Sequence, residues 1–250
     1  MTTRIPDLRA ALAALALSAG CAGAPAAPAP TVEAPPVDAG FLAALRAKVP
    51  LNPVPLLGDP YLAWRGREPP APPPGAVCGV RFEPDGLRYR LEPFGSAEAA
   101  RAAGFAVTHA GTCGTCSTLQ DLALYLERPD LTSPVRSCGM RVNQADVLAC
   151  LEALGFSAPC AATWGYNVRN TKYACFFTCA VSWVEGEPSV KPDGRLNDCL
   201  QCDEDRSGPV FKATAGRTRR NSGIRSSIAR PADQVAPVVH DELPAVLPAH

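Results

Sequence analysis

Thr171-Lys172-Tyr173-Ala174-Cys175-Phe176-Phe177-Thr178-Cys179-Ala180-Val181-Ser182-Trp183-Val184 contains no proline or glycine. Its Tyr173, Phe176, Phe177 and Ala180 recur at the three- and four-residue spacing of an amphipathic helix. That spacing predicts a helix over 171–184 with those four residues on its apolar, buried side. Cys175 and Cys179 then lie one turn apart on one side of the helix, poorly placed to bond each other. Asn197 opens a short helix with a second one-turn pair, Cys199 and Cys202, and the connection between the helices holds Gly186, Pro188, Pro192 and Gly194. Two antiparallel helices cross-linked by two rungs follow, with Cys113 and Cys116 as competing partners for Cys175 and Cys179. Closing loops of about twenty residues contributes ~3 kcal/mol per rung in the chain-entropy model.

Outward from this hairpin the helical signals continue. Asn143 caps a helix whose Val147, Cys150, Leu151 and Leu154 follow the same period, and Gly155 ends it. Ser117-Thr118-Leu119-Gln120 reads as a capping box, with Leu119, Leu122, Ala123 and Leu126 as the buried stripe and an end near Arg128, before Pro129. From Ser96 onward the pattern is helical, and Phe105 to Thr108 reads as a strand. Val77–Phe82 and Leu87–Leu91 flank the turn residues Pro84-Asp85-Gly86 and predict a hairpin. The expected fold is mainly α with a small β-hairpin or short sheet, a compact single domain stapled by disulfides over 76–235. The cysteine hairpin resembles those of twin-CX3C proteins in outline, one pair here having the shorter CX2C spacing.

The N-terminus has the layout of a signal peptide over 1–20: Arg4 and Arg9, then the apolar run from Ala10 to Leu17, then small residues. That run is shorter than the ~20 apolar residues a membrane span needs. Leu17-Ser18-Ala19-Gly20-Cys21 resembles the lipobox of bacterial lipoproteins, with Ser18 where a branched aliphatic is usual. The resemblance implies cleavage before Cys21, acyl chains on that cysteine, and attachment to a membrane of the cell envelope, facing the periplasm or exterior. The Ala/Pro-rich segment 21–37 would be a spacer. A short helix at 41–48 and Pro-rich sequence fill 38–75, and 236–250 is expected to be a flexible tail. Of eleven cysteines, lipidation of Cys21 leaves ten, an even number that reads as a disulfide framework in an exported chain.

Lys+Arg and Asp+Glu both number 24, so overall charge gives no reason to expect nucleic acid as a partner. No pattern calls for a cofactor, and no CxxCH for covalent haem occurs. Two segments carry candidate chemistry. His109-Ala110-Gly111-Thr112-Cys113-Gly114-Thr115-Cys116 lies between a strand and a helix and resembles the redox turn of thioredoxin-like proteins. That resemblance implies Cys113 as attacking thiol and Cys116 as resolving thiol; His109 beside the glycine-rich turn is separately a candidate general base, because histidine titrates near neutral pH. The same three side chains could ligate zinc, but the even cysteine count favours structural disulfides. The second segment, 206–230, holds Arg206, Lys212, Arg217, Arg219, Arg220, Arg225 and Arg230 and no acid. Guanidinium forks interleaved with glycine suit an anion, making Arg217, Arg219, Arg220 and Arg225 candidate ligand-binding residues. The competing reading is an internal ion-pair set with Asp198, Asp203, Glu204 and Asp205. The functional expectation is a binding or interaction module of the cell envelope for an anionic ligand, the alternative a thiol-disulfide oxidoreductase or other enzyme at the 109–116 turn.

Overall fold

The computed structural model describes residues 38–224, 226–228, 230, 232–238 and 240. The signal peptide, Cys21, the spacer, Arg225 and most of the expected tail lie outside the described residues.

The expected hairpin forms from β2 (Val77–Phe82) and β3 (Arg88–Phe94), antiparallel with Val80 opposite Leu91. Asp85 makes the turn by accepting the N–H groups of Leu87 and Arg88, each at 2.9 Å. β4 (Ala106–Ala110) pairs with the free side of β2, and β1 (Val49–Pro50) runs parallel to β3, giving the order β1-β3-β2-β4. β1 follows α1 (Ala39–Ala47), which is capped by Asp38 and buries Phe41, Leu42 and Leu45 in the main core. The folded part therefore begins well before residue 76, because an amphipathic turn and an edge strand upstream complete the core and the sheet. α2 (Pro60–Ala63) interrupts the Pro-rich stretch, and α3 (Ala97–Ala102), capped by Ser96, leads into β4.

The helical layer begins with α4 (Leu119–Glu127), which ends at Arg128 as expected. Its cap is Thr118 rather than Ser117: Thr118 Oγ1 accepts the Asp121 N–H at 3.1 Å, and Asp121 takes the acidic place of the capping box. Ser117 is engaged with the turn before it, and the first free N–H of α4, on Leu119, donates to the Tyr89 hydroxyl at 2.9 Å. α5 (Thr132–Gly139) and α6 (Gln144–Leu154) are clipped together by Cys138–Cys150. Asn143 caps α6, and Gly155, at φ 113°, closes it in the left-handed conformation that only glycine adopts without strain.

The helix expected over 171–184 is divided at Cys175, whose φ of −121° and ψ of 12° leave the helical region. The residues before it end α7 (Ala158–Ala174), and those after it form α8 (Phe176–Val184). Hydrogen bonds still run through the break, from Cys175 N–H to Thr171 O and from Cys179 N–H to Cys175 O. The two-rung ladder is present: Cys175–Cys202 and Cys179–Cys199 join α8 and its N-cap residue to α9 (Asp198–Arg206), which is capped by Asn197. α10 (Gly208–Ala215) follows and returns to the core through Phe211 and Ala215. The result is the mainly helical, disulfide-stapled fold with a small sheet. Among the described residues no helix is long and apolar enough to cross a membrane.

The ladder makes a local prediction. Cys179→Ser/Cys199→Ser opens the rung nearer the 185–197 connection and is expected to cost about 3 kcal/mol, with Cys175–Cys202 intact. Native-state hydrogen exchange should show faster opening in α8 while α4 keeps its protection. Equal acceleration in both helices, or none in either, would contradict a local role.

Candidate functional site

Cys113 bonds Cys78 on β2, and Cys116 bonds Cys160 on α7. The two cysteines of the turn are thus tied outward to different elements, so the redox pair expected from the thioredoxin-like resemblance is not formed between them. The thiolates required for a metal reading with His109 are likewise engaged. Among the described residues no group of three or more His, Cys, Asp or Glu side chains is placed to hold a metal ion.

The turn is a junction. Thr115 N–H donates to Thr214 O at 3.0 Å and Cys116 N–H to Ala215 O at 2.8 Å, so the turn satisfies the end of α10. Thr115 Oγ1 meets Thr163 Oγ1 of α7 at 2.7 Å. Gly114 lies against Gly216 so closely that a Cβ on either would overlap the backbone of the other strand of chain.

His109 leaves β4 into the same junction and is fully buried. Its Nδ1 lies 2.9 Å from the carbonyl oxygen of Ala110, which only accepts, so Nδ1 carries the proton and Nε2 accepts from Ser117 Oγ at 2.8 Å. Ser117 Oγ in turn accepts the Gly114 N–H at 2.8 Å. Burial first, and then the charge of Arg217, hold the His109 pKa well below 6.5, so the ring is neutral. Ser117 and His109 have the contact of a nucleophile and a base, but both are enclosed, and what they hold in place is the turn.

The arginines part company. Arg217 is fully buried, and its guanidinium donates to Thr108 O at 3.0 Å, to Thr108 Oγ1 and to Ser117 O at 3.3 Å. Its charge reaches Asp121, whose pKa is raised by burial to about 6 and held down by hydrogen bonds from Thr118 and Ser157 and by Arg217. Arg219 lies over the Tyr125 ring at 5.2 Å and donates to the carbonyl oxygens of Tyr125, at 2.6 Å, and Arg128, capping the C-terminal end of α4. Arg220 and Arg230 converge with Lys212 on Glu204, at 3.0, 2.9 and 2.8 Å. Arg217, Arg219 and Arg220 are therefore aimed at three internal sets of acceptors rather than at one external anion. The upstream acids do part of this work through Glu204, because α9 and α10 bring 204 and 212–230 side by side.

A different surface emerges at α7 and α8. Tyr173, Phe176 and Phe177, expected to face the core, are 83%, 60% and 82% exposed, and Trp183 is 77% exposed. Seven of the nine residues of α8 are apolar, yet the side chain it buries is Ser182. The cause is the ladder: Cys175 and Cys179 must face α9, and whatever lies opposite them on the helix must face outward. Beside this surface lies an open groove of about 480 Å³ between the α5–α6 connection, the start of α6, α7 and Phe176. Val147, Gly165 and Val168 line it, with Arg141 and Lys172 at its edge and the buried Gln144 Nε2 making no hydrogen bond. No motif signals Arg141, Gln144 and Lys172, since they come from three elements that only the packing brings together. The aromatic pair Phe176-Phe177 is the signal visible in the sequence, and it faces solvent rather than the core.

No curated protein and no solved structure matches the chain. Residues 144–238, which run from the start of α6 through the arginine segment, are similar to a family of unknown function, DUF8771, whose model matches them.

Proposed function

We propose that the chain is an exported, lipid-tethered binding module of the cell envelope, with the lipid on Cys21 and the clamped α7–α8 surface as its binding face. The observation that carries this reading is the outward-turned apolar side of α8, held in place by two disulfides. Exposed apolar surface of this kind marks interaction sites, and a helix fixed by two cross-links loses little further freedom when a ligand settles on it. The five disulfides are compatible with an extracytoplasmic location. They also engage both cysteines of the 109–116 turn, which favours a structural over a redox role for it.

Fractionation and unreduced peptide mapping of the natively expressed chain test the reading. The expected result is an acylated Cys21, release from the membrane in Cys21→Ser, and no alkylation of the other ten cysteines without reductant. Phe177→Ser/Trp183→Ser should leave stability within ~0.5 kcal/mol per site and lower the fluorescence of bound bis-anilinonaphthalene sulfonate. Ready labelling of Cys113 and Cys116 would instead support thiol-disulfide exchange, and an unchanged dye signal would remove α8 as the binding face.

A further inference from the structure

We infer that the groove at the start of α6 binds an anionic amphiphile, a small molecule with one anionic, hydrogen-bond-accepting head and an apolar body. This deepens the reading of the chain as a binding module and rests on it. The groove, at about 480 Å³, falls in the range of ~300–1,000 Å³ typical of small-ligand sites. Its cationic edge is real: Arg169 is paired with Asp59 and stacked on Tyr166, but among the described residues neither Arg141 nor Lys172 has a carboxylate partner. Lys172 Nζ donates to the main-chain oxygen of Arg141 at 3.4 Å, which places its charge beside the α5–α6 connection, and both residues line the groove. Asp146, the acid of the first turn of α6, is bonded to Asn143 Nδ2 at 2.6 Å and does not line the groove.

The interior supplies the second, independent feature. Gln144 Nε2 is buried without an acceptor and packs toward Gly165, where a Cβ would come within 2.8 Å of it. A buried donor with no partner is costly and rare. The Gln144 side chain lines the groove, so a turn of its enclosed amide toward an anionic head held between Arg141 and Lys172 would give it one. Val147, Val168, Tyr173 and Phe176 offer the apolar body its contacts, and the two aromatic side chains are exposed until something covers them. A purely inorganic anion would leave that wall uncovered, and a neutral apolar molecule would leave the cations and the amide unanswered.

Calorimetric titration of the full disulfide-bonded chain tests this with decanoate, the neutral decyl maltoside and inorganic phosphate, each below any micelle-forming concentration. Decanoate is expected to bind saturably at one site, and the other two at least about tenfold more weakly, since charge-assisted bonds and the apolar wall act together. Arg141→Gln/Lys172→Gln should weaken decanoate about tenfold or more. Gln144→Leu, which removes the orphaned donor at similar volume, should weaken it while leaving the thermal midpoint unchanged or raised. Tyr173→Ser/Phe176→Ser should weaken decanoate and leave phosphate as it was. Trp183→Ser, which does not line the groove, should leave decanoate binding unchanged, so the wider α8 reading and this one fail separately. Equal affinity for decyl maltoside, or full affinity in the Arg141/Lys172 variant, would overturn the inference. So would binding to phosphatidylglycerol vesicles through those two cations with no binding of free decanoate.

Discussion

Gly114→Ala is expected to prevent the chain from reaching its disulfide-bonded native state. An alanine Cβ at this position would stand 2.5 Å from Gly216 N, 2.5 Å from Thr214 O and 2.6 Å from Ala215 C, all of them backbone atoms. Gly216 cannot retreat easily: it sits at φ 70°, and its own Cβ would lie 2.3 Å from Gly114 N. Withdrawing α10 to make room breaks Thr115 N–H to Thr214 O and Cys116 N–H to Ala215 O. Withdrawing the turn strains both Cys78–Cys113 and Cys116–Cys160. The cost is expected to exceed about 4–5 kcal/mol, comparable with the whole stability of a domain, ~5–15 kcal/mol. Expression of Gly114→Ala under oxidising conditions should yield mispaired or aggregated chain on non-reducing gels, with the 78–113 and 116–160 peptides missing from the map. Gly186→Ala is the control, because Gly186 at φ 64° has open space around it and an alanine there adds only backbone strain, ~1 kcal/mol. A Gly114→Ala protein with native disulfides and a native melting curve would refute the close packing of these two glycines.

Nothing in the CxxC pattern of the turn exposes the close approach of Gly114 to Gly216. Local signals were legible: the Asn143 cap and Gly155 stop of α6, the Pro84-Asp85-Gly86 turn, the end of α4 at Arg128 and the one-turn cysteine pairs. Each depends on residues within a few positions of one another, so the chain itself displays the cause. The contacts of Gly114 with Gly216, and of Arg217 with Thr108, span about a hundred residues, and nothing in either segment names the other. The outward aromatic face of α8 is hidden from the sequence for a different reason. Periodicity reports which side of a helix is apolar but not which side is covered, and the ladder at Cys175 and Cys179 outranks apolarity in choosing the inward side. Arginine richness likewise indicated many guanidinium groups, but burial and chain geometry decided that Arg217, Arg219 and Arg220 serve three internal sets of acceptors. The groove at Arg141, Gln144 and Lys172 exists only once α6 and α7 are packed.

Arg217→Met is the second large effect, and it joins stability to protonation. Methionine fills much of the space but takes away the donor that Thr108 O and Ser117 O accept from and a positive charge that acts on Asp121. Removing one member of such a buried charged set costs about 3–5 kcal/mol. Arg217→Lys keeps the charge and loses the planar fork, so it should cost less, ~1–3 kcal/mol. Because burial and Arg217 hold the folded-state pKa of His109 below 6.5, the unfolded chain takes up a proton below that pH that the folded chain refuses. Stability must then fall as pH drops, by up to ~1.4 kcal/mol per pH unit. Asp121 acts in the opposite sense: with a folded value of about 6 against 3.8 unperturbed, it keeps a proton in the folded state and adds stability as pH falls below about 6. The two effects oppose each other, the His109 loss setting in as pH falls through 6.5 and the Asp121 gain as it falls through about 6. In Arg217→Met the charge that opposes imidazolium is gone, burial remains, and the His109 midpoint should move upward without reaching its ordinary value. Arg217→Lys should leave it where it is in the parent chain. Imidazole resonances followed by NMR, alongside urea unfolding at each pH, read both quantities. Identical His109 midpoints in the methionine and lysine variants would show that Arg217 acts on this junction through its hydrogen bonds alone.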